Sequence, residues 1–279
     1  MSVGQDEESG ESAQGESAEG FFRPDGDTLI PADFASSPWG QVLHGRLIGG
    51  LTARAVEQAR HTDQDLACSR LTIDMFRSAR MEPIKVSVQT IRAGRRIAVL
   101  DVTVEQADGP VGQGRAVLLR RSQQPDGTFL QTQPWAVRTP VELGPPPALS
   151  GGPRRWTAPW QSWRADGPHG GMWIREMHPL ITGEQLTPLV RLAMAADLSS
   201  PAANSSDRGL DFINADYTIY LGREPVGEYT GIQPCGHVSE VGVAAGLCVA
   251  HDLDGPVGFV ANAAIANSRM PQPATAQAR

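Results

Sequence analysis

One carboxylate in this sequence occupies an unusual position. Leu186, Val190, Ala193 and Asp197 are spaced by four, three and four residues, so on a helix Asp197 shares the apolar stripe near the C-terminal end. There it faces the negative end of the helix dipole and loses water, and both effects raise its pKa. Such a group suits a general base or a water-orienting acid. The alternative is a helix end frayed into the polar stretch Ser199 to Asp207, with Asp197 in water. Two amides follow in strand-like surroundings: Asn214 opens the stretch Asn214 to Leu221, and Asn262 interrupts the apolar run Val257 to Ile265. An amide left unpaired inside a sheet costs about 1–3 kcal/mol. One carboxylate and two amides could hold a single water, or each amide could bond locally to backbone at a strand end. His44-Gly45, just ahead of a helical stretch, could aim backbone N–H groups at a carbonyl or phosphate.

The sequence contains no GxSxG nucleophile elbow, GxxxxGK phosphate loop, HExxH pair or metal-spaced His cluster. Gly112-Gln113-Gly114 lacks a following helix and makes no dinucleotide fingerprint. What remains is acid–base chemistry without a cofactor or metal. Arg120-Arg121 and Arg154-Arg155 could meet ligand phosphates, although such pairs are commonly solvated surface.

The elements that must position these groups are a helix and a sheet, twice over. Leu47, Leu51, Ala55 and Ala59 recur every four residues, which predicts a helix over Leu43 to Arg60, with Gly49 and Gly50 used for close packing against strands. Strands are expected over Ser69 to Phe76, Ile84 to Ile91, Ile97 to Glu105 and Val111 to Arg120, with short turns that imply an antiparallel meander around the helix. This is an α+β unit. Its landmarks return 146 residues later: Asp108-Gly109-Pro110-Val111-Gly112 recurs at Asp254 to Gly258, Thr72-Ile73 at Thr218-Ile219, and the Leu47 helix at Ala193. The second helix is expected to start at Thr187-Pro188, or at Thr182 with Gln185 as a capping box. At the repeat offset Asp197 stands where the first half has Leu51, Asn214 where it has Cys68, and Asn262 where it has Ala116. The second half is polar where the first is apolar, so any site belongs to the second.

The 279 residues are enough for two such units, with 40% hydrophobic and 20% charged residues as in a soluble globular chain. Residues 1–20 are Gly, Ser, Gln and acidic residues expected to be disordered, 123–168 reads as a linker and 271–279 as a flexible tail. The units themselves are expected at 21–122 and 169–270. A net charge of −7 disfavours nucleic acid as a partner, and no run is long enough to insert in a membrane. Three scattered cysteines and no leader-like start favour a reducing, cytoplasmic setting.

The segments Trp39-Gly40-Gln41-Val42-Leu43-His44-Gly45, Trp173-Ile174-Arg175, Pro188 through Asp197 and Asn214 to Arg223 resemble the TesB-like acyl-CoA thioesterases over most of the chain. The resemblance implies a tandem (double) hotdog, each half a helix wrapped by an antiparallel sheet, with acyl-CoA or another acyl thioester as substrate. In that family an Asp, a Thr-like residue and a Gln hold the hydrolytic water; the matching positions are Asp197, Asn214 and Asn262, both amides being departures from the family pattern. His44 and Gly45 would then help polarise the thioester carbonyl. An alternative is a degenerate hotdog that binds acyl-CoA or a protein without turnover. The hydratase branch of the fold is disfavoured, since its Asp-x-Asn-Pro-x-His-like segment is missing. A homo-oligomer is expected, because hotdog units associate through strand edges and helices.

Overall fold

The computed structural model describes residues 18–60, 63, 65–146, 150–151, 156–165 and 170–267. The terminal segments read as disordered lie outside these residues except at 18–20, where the Gly20 N–H donates to Thr182 Oγ1 at 3.0 Å. In the first half, helix α1 (Arg46–Arg60) precedes strands β1 (Leu66–Met75), β2 (Lys85–Ala93), β3 (Ile97–Gln106) and β4 (Gly109–Arg120). The second half runs β5 (Trp160–Arg164), β6 (Met172–Glu176), α2 (Pro188–Ala196), α3 (Ser199–Asn204), β7 (Phe212–Asn214), β8 (Asp216–Leu221), β9 (Tyr229–Glu240), β10 (Val243–Asp252) and β11 (Gly255–Ala266). All join one antiparallel sheet in the order β5-β6-β9-β10-β11-β8-β1-β4-β3-β2, with β7 also paired to β11. The architecture is a tandem hotdog.

The two halves meet edge to edge at β1 and β8. There Thr72 lies directly opposite Thr218 and the two hydroxyls are 3.1 Å apart. These are also the residues that the 146-residue repeat superposes, so the pseudo-twofold axis of the duplication passes between them. On the concave side α1 and α2 lie antiparallel and touch. Thr187 Oγ1 donates to Glu57 Oε2 at 2.7 Å at one end of the pair, and the Asp197 end of α2 meets the start of α1 at the other. Leu47, Leu51, Ile73, Ala193 and Ile219 are buried between helices and sheet, each large side chain contributing about 1.5–3 kcal/mol.

Three sequence expectations change. The first half is not a simple meander: β2, β3 and β4 are, but β1 pairs with β4 rather than β2. The connection from β1 to β2 is too long for a hairpin and crosses the end of β3, where the Gln106 amide holds Arg80 N at 3.0 Å and Arg80 O at 2.8 Å. The 123–168 segment is more than a linker, since β5 pairs along its whole length with β6 and Trp135 stacks on His251 at 5.6 Å. A tryptophan-rich stretch gains more by covering the sheet than by staying in water. Helix α1 starts at Arg46 rather than Leu43, because Val42 and Leu43 belong to a short strand, Gly40–Leu43.

Gly49 permits the helix contact. A Cβ there would lie 1.7 Å from Tyr217 Oη and 3.0 Å from the Ala193 carbonyl oxygen. The glycine thus serves packing against the other helix as well as against a strand. Gly49→Val should therefore destabilise the protein by about 1–3 kcal/mol through overpacking. Urea denaturation measures this, and an unchanged midpoint would show that the helices do not meet here.

Candidate active site

Helix α2 is built as its sequence suggests. Thr187 caps it, accepting the Val190 N–H at 3.3 Å, and Pro188 fills the first position, where no N–H is needed. Asp197 ends it in right-handed helical geometry, and the chain turns at once into α3 instead of fraying. Only 8% of Asp197 is exposed.

Its partners come from both halves. Asn214, at the end of β7, donates its amide to Asp197 Oδ1 at 2.9 Å. The backbone N–H of Arg46, the first residue of α1, also donates to the carboxylate. A Cβ on Gly45 would sit 3.6 and 3.7 Å from the two Asp197 oxygens, so the bare glycine lets the carboxylate close on the helix start. His44 Nδ1 stands 3.7 Å from Asp197 Oδ2. The C-terminal carboxylate of one helix therefore lies against the positive end of the antiparallel other. This answers the electrostatic objection that the sequence raised, which considered α2 alone.

Burial raises the Asp197 pKa above the usual aspartate range; the Asn214 hydrogen bond, the Arg46 charge and the Arg46 N–H all oppose the rise. Arg46 is wholly buried, its guanidinium ion-paired with Glu176 on β6 and lying 4.4 Å from the Trp160 ring centroid. Burial lowers it to about 9, and Asp197 pulls it back up, so it is a cation at neutral pH. Burial, then the nearby Arg46 charge, drives His44 down to about 3. The imidazole is thus neutral, and its approach to Asp197 is not an ion pair. Tyr217 is buried under the same carboxylate, donating to the Ala193 carbonyl at 2.8 Å, with its phenol pushed upward by burial and by Asp197.

Of the predicted set, the structure brings Asp197, Asn214, His44 and Gly45 together. Asn262 is different. It lies on the same sheet face, one pleat from Ala264, which pairs with Asn214. Its Oδ1 accepts from Asn204 Nδ2 at 2.7 Å and its Nδ2 donates to Ser199 Oγ at 3.0 Å. The side chain is short and α3 lies directly over it, so it fastens that helix instead of reaching Asp197. Sequence reasoning missed Arg46, Trp160, Glu176 and Tyr217. Tyr217 carried the same signal as the others, standing where the repeat has Leu71, and Arg46 stands where it has Leu192. Glu176 carried it too, standing where the repeat has Ile30, whereas Trp160 had no such signal. Among the described residues no group of three or more His, Cys, Asp or Glu side chains is arranged to hold a metal.

Two fused hotdog halves, with a buried carboxylate and a half-buried amide where they meet, define the class: a double-hotdog protein. Residues 35–119 match the family of acyl-CoA thioesterase N-terminal domains, and residues 123–265 match that of the corresponding C-terminal domains. The chain belongs to the TesB-like acyl-CoA thioesterase family and is a thioester hydrolase. Solved structures agree in fold. A thioesterase structure from Novosphingobium aromaticivorans is similar at 17% identity and TM-score 0.68, covering 89% of this chain and 99% of its own. A hot dog fold protein from Alicyclobacillus acidocaldarius is similar at 16% and 0.61, covering 89% and 96%. Acyl-CoA thioesterase II TesB2 from Mycobacterium marinum is similar at 18% and 0.59, covering 81% and 90%. Comparison with curated proteins returns no match.

The neutral histidine has a consequence for acid stability. The folded value of His44 lies near 3, below the unfolded ~6.5. Between the two, the unfolded chain binds a proton that the folded chain refuses, so stability is full above about pH 6.5 and falls as pH drops toward 3. His44→Gln should lose less stability than the wild type in urea titrations taken from about pH 7 to about pH 4; equal losses would contradict the burial of a neutral imidazole.

Proposed function

We propose that the protein hydrolyses acyl-CoA with a water oriented and deprotonated by Asp197. The observation that carries this reading is the Asp197–Asn214 pair, whose buried carboxylate lies against the start of α1. Asn214 leaves the second carboxylate oxygen for water and fixes the plane in which it accepts. The water oxygen attacks the thioester carbonyl carbon while its proton passes to Asp197. The carbonyl oxygen gains the charge, and the donor we assign to it is the Gly45 N–H, just ahead of the α1 N-terminus. Collapse of the tetrahedral intermediate breaks the C–S bond, and the CoA thiolate takes the proton back from Asp197. A base whose pKa is raised by burial is better matched to this exchange near neutral pH than an ordinary aspartate.

Asn262 serves this reading indirectly, as a positioning residue. By tying Ser199 and Asn204 to β11 it holds the α2–α3 corner at which Asp197 sits. Among the described residues, Cys68, Cys235 and Cys248 are free thiols. No helix among the described residues is long and apolar enough to cross a membrane.

Asp197→Asn should lower acyl-CoA hydrolysis by about 10²–10⁴ while leaving the far-ultraviolet circular dichroism unchanged. A free-thiol release assay over a panel of acyl lengths reads this directly. Turnover near that of the wild type in the folded variant would remove Asp197 from the mechanism.

A further inference from the structure

Three charged side chains gather where the repeat holds apolar ones. Asp197 stands where the first half has Leu51, Arg46 where the second has Leu192, and Glu176 where the first has Ile30. Leu51 and Leu192 are buried and Ile30 is half-buried. The scaffold therefore folds around apolar residues at all three positions in its other half and does not need charges there. Against apolar residues of similar size, a buried ion pair adds little net stability. The side chains of Arg46 and Glu176 are nevertheless 0% and 1% exposed. Buried charges that the fold does not require point to work at a site.

The geometry directs that work to Asp197. The Arg46 guanidinium lies 4.4 Å from the Trp160 ring centroid and 5.7 Å from that of Phe21, and its Nη2 donates to Glu176 Oε1. Arg46 Nε and Nη1 and Glu176 Oε2 are buried and make no hydrogen bond to any described residue. One contact alone leaves much of the cation's field in place, and between aromatic rings that field reaches its neighbours. It favours the charged form of Asp197 and helps to keep His44 neutral. The other groups around the carboxylate are uncharged at neutral pH: His44 ahead of α1, Asn214 on β7 and Tyr217 on β8. Helix α3 carries no charged residue. Arg191 on α2 interacts instead with Glu228 and Arg175, and Asp74 on β1 with Asp216 and Arg115.

We propose that Arg46 and Glu176 form a charge couple that sets how readily Asp197 ionises. Arg46 favours the carboxylate, and Glu176 holds that preference in check by pairing with the same cation. The inference rests on the reading of Asp197 as the base. It makes Arg46 and Glu176 positioning residues, which act on the reaction through Asp197. Without Glu176, the carboxylate is held too firmly in its charged form to take a proton from water near neutral pH. Without Arg46, burial keeps the carboxyl protonated over a wider range, and a protonated base accepts nothing.

Arg46→Gln and Glu176→Gln break the same contact and should move Asp197 in opposite directions. Two readouts follow it: isotope-edited NMR of the Asp197 carboxyl carbon, assigned by its loss in Asp197→Asn, and the acidic limb of kcat/KM for acyl-CoA hydrolysis. In both, Arg46→Gln should raise the midpoint by about one pH unit and Glu176→Gln should lower it. Loss of a purely structural contact would move both variants alike or neither. Should a single variant lose its native circular dichroism, Arg46→Leu combined with Glu176→Ile decides, since the repeat holds those residues there. Its midpoint should rise, because the charge that acts on Asp197 directly is gone. An Asp197 midpoint unmoved in the folded Arg46 variants, or shifted alike in both single variants, would overturn the proposal. So would loss of the fold in the double variant, since the charges would then serve the scaffold. A carboxyl midpoint that moves as stated while the kinetic limb stays in place would keep the couple and remove Asp197 as the base.

Discussion

The whole arrangement depends on bringing the C-terminal carboxylate of one central helix against the N-terminal amides of the other. A buried aspartate is costly, and at the end of its own helix it is more so. The antiparallel partner reverses that field, and the Asn214 amide and Arg46 N–H supply hydrogen bonds. For the ends to meet, the helices must touch along their length, which Gly49 allows by leaving room for the Tyr217 hydroxyl. For each end to stay in place, the charges behind it must be balanced. The Arg46–Glu176 pair does this out of water, under Trp160. Such a pair adds little net stability, but losing one member would leave a bare buried charge. It therefore locks the start of α1 in register with the second half.

Duplication explains how one chain came to hold complementary parts. Around a pseudo-twofold axis at Thr72 and Thr218, both halves supply the same scaffold. The first has Leu51, Cys68 and Leu71 on its inner face and brings its helix start to the candidate site. The second has Asp197, Asn214 and Tyr217 at the same repeat positions. Neither half alone has both the carboxylate and the helix N-terminus that receives it, so the fused chain is the smallest unit with a complete site.

Much of this was legible in the residues. The period of α1, the strand runs and the exact return of the Asp-Gly-Pro-Val-Gly turn gave two α+β units, because local patterning and turn chemistry are written in neighbouring residues. Asp197 and Asn214 stood out as polar groups at apolar repeat positions, and burial keeps them together. What was hidden depends on contacts between distant segments. The pairing of β1 with β4, the strand at Trp160–Arg164 and the field of α1 on Asp197 all come from packing that no local window contains. Asn262 shows the same limit: its burial followed from its strand, but its partners, Ser199 and Asn204, lie on a short helix that read as a polar loop.

On the proposed mechanism Asp197 works as a base with a raised pKa, tuned by Asn214. The pH dependence of kcat/KM for acyl-CoA hydrolysis reports the ionisation of the free enzyme's essential groups. The acidic limb should lie above the ordinary aspartate value of ~3.9 and move further up in Asn214→Ala, which loses the hydrogen bond that favours the charged form. A limb at the ordinary value, or one indifferent to Asn214, would contradict it.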